Sequence, residues 1–199
     1  MFISIDGANG VGKTTISKLV YQKLKQKGKK VFLTREPTDS KIGTFIRKLE
    51  GIKSYSGMPL AHLIMADRYK HIEEINNKVE NDVIVITDRY ISSSLVYQVF
   101  DGISINYILN MNLEIIKPDI SFFITSDEKR VKQEVSKRKV LTRFEKEMTT
   151  KEEIQLFREA KIILEKNNYF CIEVNNEILD DSINFIVEQI EKYITNCRS

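Results

Sequence analysis

Residues 2–15 read FISIDGANGVGKTT, and this stretch decides the fold. Phe2 to Ile5 is a near-continuous apolar run with β-branched and aromatic side chains, as expected of a strand buried on both faces. Directly after it, Gly7 to Thr15 satisfies G-x-x-x-x-G-K-[ST], and behind it Ile16, Leu19, Val20 and Leu24 fall at helical spacing. Strand, glycine-rich loop and helix in that order make a phosphate cradle. Gly7, Gly10 and Gly12 let backbone amides turn inward, Ala8, Asn9, Val11 and Thr15 complete the loop expected around phosphate, and the helix adds the positive end of its dipole. Lys13 supplies a point charge and Thr14 a hydroxyl for Mg²⁺. A chain of this length matches the pattern by chance only about once in a hundred, so a nucleoside triphosphate with Mg²⁺ is the first expectation.

Outward from that loop, similar short apolar runs recur at Val31 to Thr34, Val83 to Thr87, Ile120 to Thr125 and Phe170 to Val174. Amphipathic segments separate them, the last carrying Ile183, Ile186, Val187, Ile190 and Ile194. Alternation of this kind predicts an α/β fold with a parallel sheet and helices on both faces, and it places ligand sites at the carboxyl ends of the strands. The length of 199 residues fits one compact unit, 1–199, with no room for a separate substrate domain. Residues 136–153, SKRKVLTRFEKEMTTKEE, hold few apolar positions and many charges. They read as an exposed, mobile segment.

A net charge of +3 is too slight to imply a nucleic-acid or membrane footprint. Cys171 and Cys197 are far apart and have no partner set for zinc, so neither a disulfide framework nor a metal finger is expected and a reducing cytoplasm fits. Met1 to Asp6 lacks a basic region followed by a long apolar stretch, and no run approaches 18 apolar residues, which argues against a signal peptide and a membrane span. His62 and His71 read as packing or surface groups, Phe122 and Phe123 as core, and Tyr90 equally well as core or pocket wall. The lysines at 18, 23, 25, 27, 29 and 30 read as a solvated helix face and turn.

The strand ends distinguish kinds of nucleotide chemistry. No N-K-x-D guanine motif exists, since Asn77-Lys78 is followed by Val79-Glu80. The third apolar run ends in Thr87-Asp88-Arg89, not the Asp-Glu pair that would activate water. Asp88 can hold the metal's water shell, while Arg89 offers positive charge, so transfer to an anionic acceptor is favoured over hydrolysis. Arg35-Glu36-Pro37 follows the second run, Arg68 sits mid-chain in Ala66-Asp67-Arg68, and Arg143 lies in the charged segment. A phosphate acceptor needs no general base, but its charge must be neutralised before two phosphate groups can approach.

The chain resembles the thymidylate kinases, P-loop enzymes that transfer a phosphoryl group from ATP to thymidine monophosphate (dTMP). The resemblance rests on GANGVGKTT, on TREPT at 34–38 with Ile42-Gly43 and Ile46-Arg47, on MADRYKH at 65–71, on DRYISSSLVYQ at 88–98, on Lys117-Pro118-Asp119, and on TRFEKE at 142–147. It implies a P-loop fold with a five-stranded parallel sheet, ATP as donor with Mg²⁺ held through Thr14 and Asp88, a lid near 136–147 and a homodimer. It further implies that Arg35, Arg47 and Arg89 contact the acceptor phosphate, that Arg68 hydrogen-bonds the pyrimidine, that Ser94 and Gln98 read the base edge, and that Tyr97 crowds the sugar 2′ position. Glu36 would lie near the sugar-phosphate and the metal. Lys13, Arg89 and Arg143 would carry the transfer, with Arg138 a second lid arginine over ATP, because the loop position that bears a catalytic arginine in one subclass is Gly10 here.

Two positions depart from the pattern. Asn9 stands where family members carry an acidic residue that contacts the sugar 3′-hydroxyl, and Ile64 stands where they stack thymine on Phe. Two rival functions follow from the residues: a deoxynucleoside kinase using Glu36 as base toward an uncharged hydroxyl, or a nucleotide-binding regulator with little catalysis.

Overall fold

The computed structural model describes residues 1–50 and 52–196. Its strands are β1 (Phe2–Asp6), β2 (Val31–Arg35), β3 (Ile84–Asp88), β4 (Ile120–Thr125) and β5 (Cys171–Asn175). All pair in parallel, in the order β2-β3-β1-β4-β5. Each lies within a residue or two of its apolar run, with Val83 and Phe170 falling just outside. β1 is central and buried throughout, as a run apolar on both faces requires, whereas the edge strands β2 and β5 are only partly buried. Two-sided burial therefore holds for the middle of the sheet and fails at its margins, where each strand has a single neighbour.

Helices cover both faces. One layer comprises α1 (Lys13–Gln26) and α9 (Leu179–Asn196), which pack on each other. Ile16, Val20 and Leu24 of α1 and Ile183, Ile186, Val187 and Ile190 of α9 are the buried stripe that the spacing predicts. The second layer comprises α3 (Met58–Glu80), α4 (Ile91–Phe100) and α8 (Thr150–Lys166). Shorter helices α2 (Lys41–Leu49), α5 (Ile105–Met111), α6 (Glu128–Ser136) and α7 (Arg143–Glu147) fill the connections. Phe122 and Phe123 lie in the core. Tyr90 is fully buried, donates its hydroxyl to the Ile116 carbonyl at 2.9 Å and also lines the main cavity, so it serves as core and wall at once.

The reading of 136–153 as exposed throughout is corrected in part. Residues 136–140 are exposed, but Arg143, Phe144, Met148 and Glu153 are buried. Thr142 and Thr149 each accept from the third residue of the following helix, and Glu145 and Glu152 reach back to the cap amides, so two capping boxes start α7 and α8. Much of the acidic content that suggested a solvated segment is capping chemistry. Among the described residues Cys171 has no disulfide partner, and burial pushes its thiol up to about 12; Cys197 lies outside the described residues. Among the described residues no helix is long and apolar enough to cross a membrane.

Candidate active site

β1 ends on Asp6 at the centre of the sheet, where β3 lies on one side and β4 on the other. A crevice opens at that switch point, and the glycine-rich loop sits in it. Gly7 takes φ +143°, and a Cβ there would stand 2.3 Å from the Ile124 carbonyl oxygen of β4. Gly12, at φ +96°, is the N-cap of α1, and a Cβ on it would meet Asn176 Nδ2 at 2.8 Å. Both positions exclude side chains, and the helix N-terminus is left open to an anion. Asn176, just past β5, also donates to the Val11 carbonyl at 2.8 Å, clamping the loop from the far side.

Lys13 is buried, and its Nζ donates to the Ala8 carbonyl at 2.6 Å. Burial, with Arg89 nearby, lowers its ammonium to about 7. The lysine is thus held inside the loop at the expense of its charge, which an arriving phosphate would restore. Thr14 Oγ1 donates to Asp88 Oδ2 at 2.5 Å. Asp88 Oδ1 is buried and has no hydrogen-bond partner among the described atoms. A loop hydroxyl beside a carboxylate with one uncommitted oxygen matches the oxygen-donor set that Mg²⁺ takes together with phosphates and waters.

Beside these two residues lies a cavity of about 270 Å³. Arg35, Glu36, Arg47, Ile64, Arg68 and Arg89 line it, as do Asn9, Ser94, Tyr97 and Gln98, so all ten acceptor-site candidates converge there. Arg89 reaches it from a left-handed backbone, φ +77°, with its amide on the Ile5 carbonyl at 3.0 Å and its carbonyl on Thr87 Oγ1 at 2.9 Å. Such a conformation costs a non-glycine residue about 1 kcal/mol or more and persists where surrounding bonds enforce it. Its guanidinium donates to Ser93 Oγ at 3.1 Å, Tyr97 Oη at 3.2 Å and Asn9 Oδ1 at 2.7 Å. Burial drives the Tyr97 phenol well above its usual range, so that hydroxyl keeps its proton. The buried Oε1 of Gln98 has no hydrogen-bond partner among the described residues.

Arg47 donates to the carbonyls of Pro37 and Thr38 at 2.6 and 2.7 Å, and with Arg35 it flanks the exposed Asp39. Arg68 is committed more deeply: its Nε donates to Glu36 Oε2 at 2.8 Å and its Nη1 to Asn112 Oδ1 at 2.7 Å. The other Glu36 oxygen lies 3.1 Å from His71 Nδ1, and His71 Nε2 lies 2.8 Å from Thr34 Oγ1. His71 therefore packs inside; His62 is exposed, its Nδ1 3.0 Å from the Met58 carbonyl.

Arg143 and Arg138, expected to act from a lid, do not line the cavity. Arg143 binds Asp101 with both terminal nitrogens, at 2.8 and 2.6 Å, and Glu147 at 3.1 Å. Arg138 is paired with Glu145. Several groups at the site carry no sequence signal of their own. Glu50 lines the cavity, its carboxyl raised by burial. Glu153 of α8 accepts from the Asn9 amide at 3.0 Å and from the Tyr97 hydroxyl at 2.6 Å. The Thr149–Glu152 capping box just before Glu153 is a sequence signal that could have placed the helix that delivers it.

Residues 5–185 match the model of a family described as thymidylate kinase. A probable thymidylate kinase of Caldivirga maquilingensis is 33% identical over 196 residues, covering 96% of this chain and 93% of that protein. One of Methanococcus aeolicus is 36% identical, covering 97% and 93%. The thymidylate kinase of Candida albicans superposes with a TM-score of 0.77 at 24% identity, covering 96% of this chain and 91% of that one, and shares its fold. The chain belongs to the thymidylate kinase family.

Proposed function

We propose that the protein transfers the γ-phosphoryl group of ATP to dTMP, giving dTDP and ADP. One observation carries this reading: the cavity that gathers Arg35, Arg47 and Arg89 opens directly beside Thr14 and Asp88 at the phosphate loop. Glycine-loop amides, the α1 dipole and Lys13 hold the donor phosphates from one side, and the arginines hold the acceptor phosphate from the other. An acceptor phosphate oxygen is itself the nucleophile, so positioning and charge neutralisation supply the catalysis. Thr14 and Asp88 would hold Mg²⁺, which when bound offsets negative charge on the donor phosphates. Ile64 gives the base an apolar wall, while Ser94 and Gln98 Oε1 offer hydrogen bonds to its edge. Arg68, fixed by Glu36 and Asn112, faces the pyrimidine. Tyr97 crowds the sugar, and Asn9 offers it an amide.

The rival use of Glu36 as a base toward a sugar hydroxyl is disfavoured, because both its oxygens already face donors, Arg68 and His71. Residues 136–147 act as a lid in this reading, within one kinase unit spanning 1–199. Arg143 and Arg138 reach ATP only after leaving Asp101 and Glu145. A homodimer is supported by large apolar side chains left exposed on α2, α3 and α5, namely Phe45, Met58, Tyr69 and Tyr107. The free Cys171 thiol fits a cytoplasmic setting. A coupled ADP-release assay over thymine and uracil monophosphates in both sugar series, with thymidine alongside, tests the function. Fastest turnover is expected with dTMP; absence of turnover with every pyrimidine monophosphate overturns it, and turnover of thymidine alone transfers the assignment to a nucleoside kinase.

A further inference from the structure

Glu153 lies outside every motif, yet its carboxylate bonds the phosphate loop at Asn9 and the acceptor cavity at Tyr97. It is 6% exposed, in the first turns of α8, where a helix N-terminus favours a carboxylate. One of its oxygens, Oε1, takes the Asn9 amide proton at 3.0 Å and the Tyr97 hydroxyl proton at 2.6 Å. A phenol has one proton and two lone pairs. With the proton committed to Glu153, both lone pairs of Tyr97 face the site, where Arg89 Nη1 donates at 3.2 Å and Asn9 Nδ2 at 3.3 Å. Asn9 in turn accepts from Arg89 Nη2 at 2.7 Å. The rings of Phe144 and Phe157 lie 4.5 and 6.0 Å from that of Tyr97, and Asn9, Tyr97 and Glu153 are all buried. Turning the Tyr97 hydroxyl toward the site, or flipping the Asn9 side-chain amide, would set a proton where Arg89 now meets a lone pair.

We propose that Glu153 is a positioning residue: by fixing the proton of Tyr97 and the amide of Asn9, it aims Arg89 at the acceptor phosphate and sets the phosphate loop at the matching distance. The inference rests on the phosphoryl-transfer reading above. It assigns Glu153 a directional role, as an acceptor at one point in space, in contrast to a general contribution of negative charge. Glu153→Gln keeps a carbonyl oxygen at that point and loses the charge. Glu153→Asp keeps the charge and withdraws the oxygen by about 1.5 Å.

A displacement near 1 Å can cost about 100-fold in rate. Glu153→Asp should therefore lower kcat by roughly 10- to 100-fold with the KM for ATP changed less than about threefold, while Glu153→Gln stays within about fivefold of the parent. Combining Glu153→Asp with Tyr97→Phe should lose no more than the worse single variant, since both break the same relay. A Gln variant as impaired as the Asp variant, both variants at the parental rate, or losses that multiply in the double variant would each overturn the proposal. The Asn9 amide proton in NMR reports the anchor independently of catalysis: it should move upfield in Glu153→Asp and hold in Glu153→Gln. If the parent protein transfers nothing to any acceptor, the functional reading falls, and this resonance alone decides the anchor; an unmoved signal in Glu153→Asp refutes it.

Discussion

Arg89 and Arg143 each stack on an aromatic ring, Tyr97 and Phe144, and those rings lie 4.5 Å apart, yet the two arginines are satisfied in opposite ways. Arg89 donates to a serine, a tyrosine and an asparagine, all neutral. Arg143 is closed on two carboxylates, with both terminal nitrogens on Asp101. Neutral partners orient a guanidinium without cancelling its charge, so a phosphate arriving at Arg89 meets a fixed cation. An anion approaching Arg143 must first displace one already bound. Arg89 is thus pre-organised, whereas in the proposed mechanism Arg143 would reach the donor only after the segment that carries it rearranges.

The sharpest way to break this comparison is to remove the pre-organised member. Arg89→Ala should lower kcat with dTMP by about 1000-fold or more, within the range that arginine contacts to transferring phosphates supply, and leave ATP affinity nearly unchanged. Steady-state kinetics with an equilibrium titration of ATP checks both halves. Retained turnover would remove Arg89 from the mechanism and with it the meaning assigned to its neutral partners.

Next in size is the effect at Asp88, which with Thr14 is proposed to hold Mg²⁺. Asp88→Asn should cost roughly 100- to 1000-fold in kcat and raise the Mg²⁺ concentration needed for half-maximal rate, because the uncommitted Oδ1 is lost as an acceptor. A Mg²⁺ titration of the variant decides this. A variant with an unchanged Mg²⁺ requirement would mean that the buried oxygen serves something else.

The lid is then tested by a pair of variants whose effects should diverge. Arg143→Ala should lower kcat about 100-fold if the side chain crosses to the donor phosphates, while Asp101→Asn, which removes only its resting partner, should leave kcat within about threefold. Both variants break a buried ion pair, so both should melt at lower temperature. Loss of thermal stability in both without loss of kcat in either would show that Arg143 is purely a latch between the lid and the end of α4.

The same contrast explains what could be read from the chain. The phosphate loop was legible because its glycines must take backbone angles and approaches that no other residue allows, at Gly7 and Gly12 above all. The five strands were legible as short β-branched and aromatic runs, although only the inner ones are buried on both faces. The ten residues proposed for the acceptor were picked from motifs and resemblance, on strand ends, loops and helices alike, and the fold brings all ten to one cavity. Their bonding was not legible. Nothing in the spacing of Glu36, Arg68 and His71 says that they saturate one another, since that depends on how β2 and α3 lie together. Glu153 was hidden by composition: it is one acidic residue among many in a segment that looked solvated, and only burial against α4 singles it out.

The smallest effect concerns the cation that the two sides share. Lys13 is lowered to about 7, first by burial and then by Arg89, so at pH 8 most of the free protein carries it neutral. Phosphates in the loop favour the charged form, and binding ATP must therefore take up a proton when the pH lies above that value. The sign is fixed by the depressed value in the free protein: ATP affinity is fully expressed only well below pH 7 and weakens as the pH rises through that value. A single group titrating near 7 predicts a loss of about fivefold between pH 7 and pH 8. Calorimetric titration at pH 8 in two buffers of different ionisation enthalpy measures the uptake directly, and close to one proton per ATP is expected. An uptake of zero would mean that Lys13 is charged before the nucleotide arrives, and the donor side would then be as pre-organised as the acceptor side.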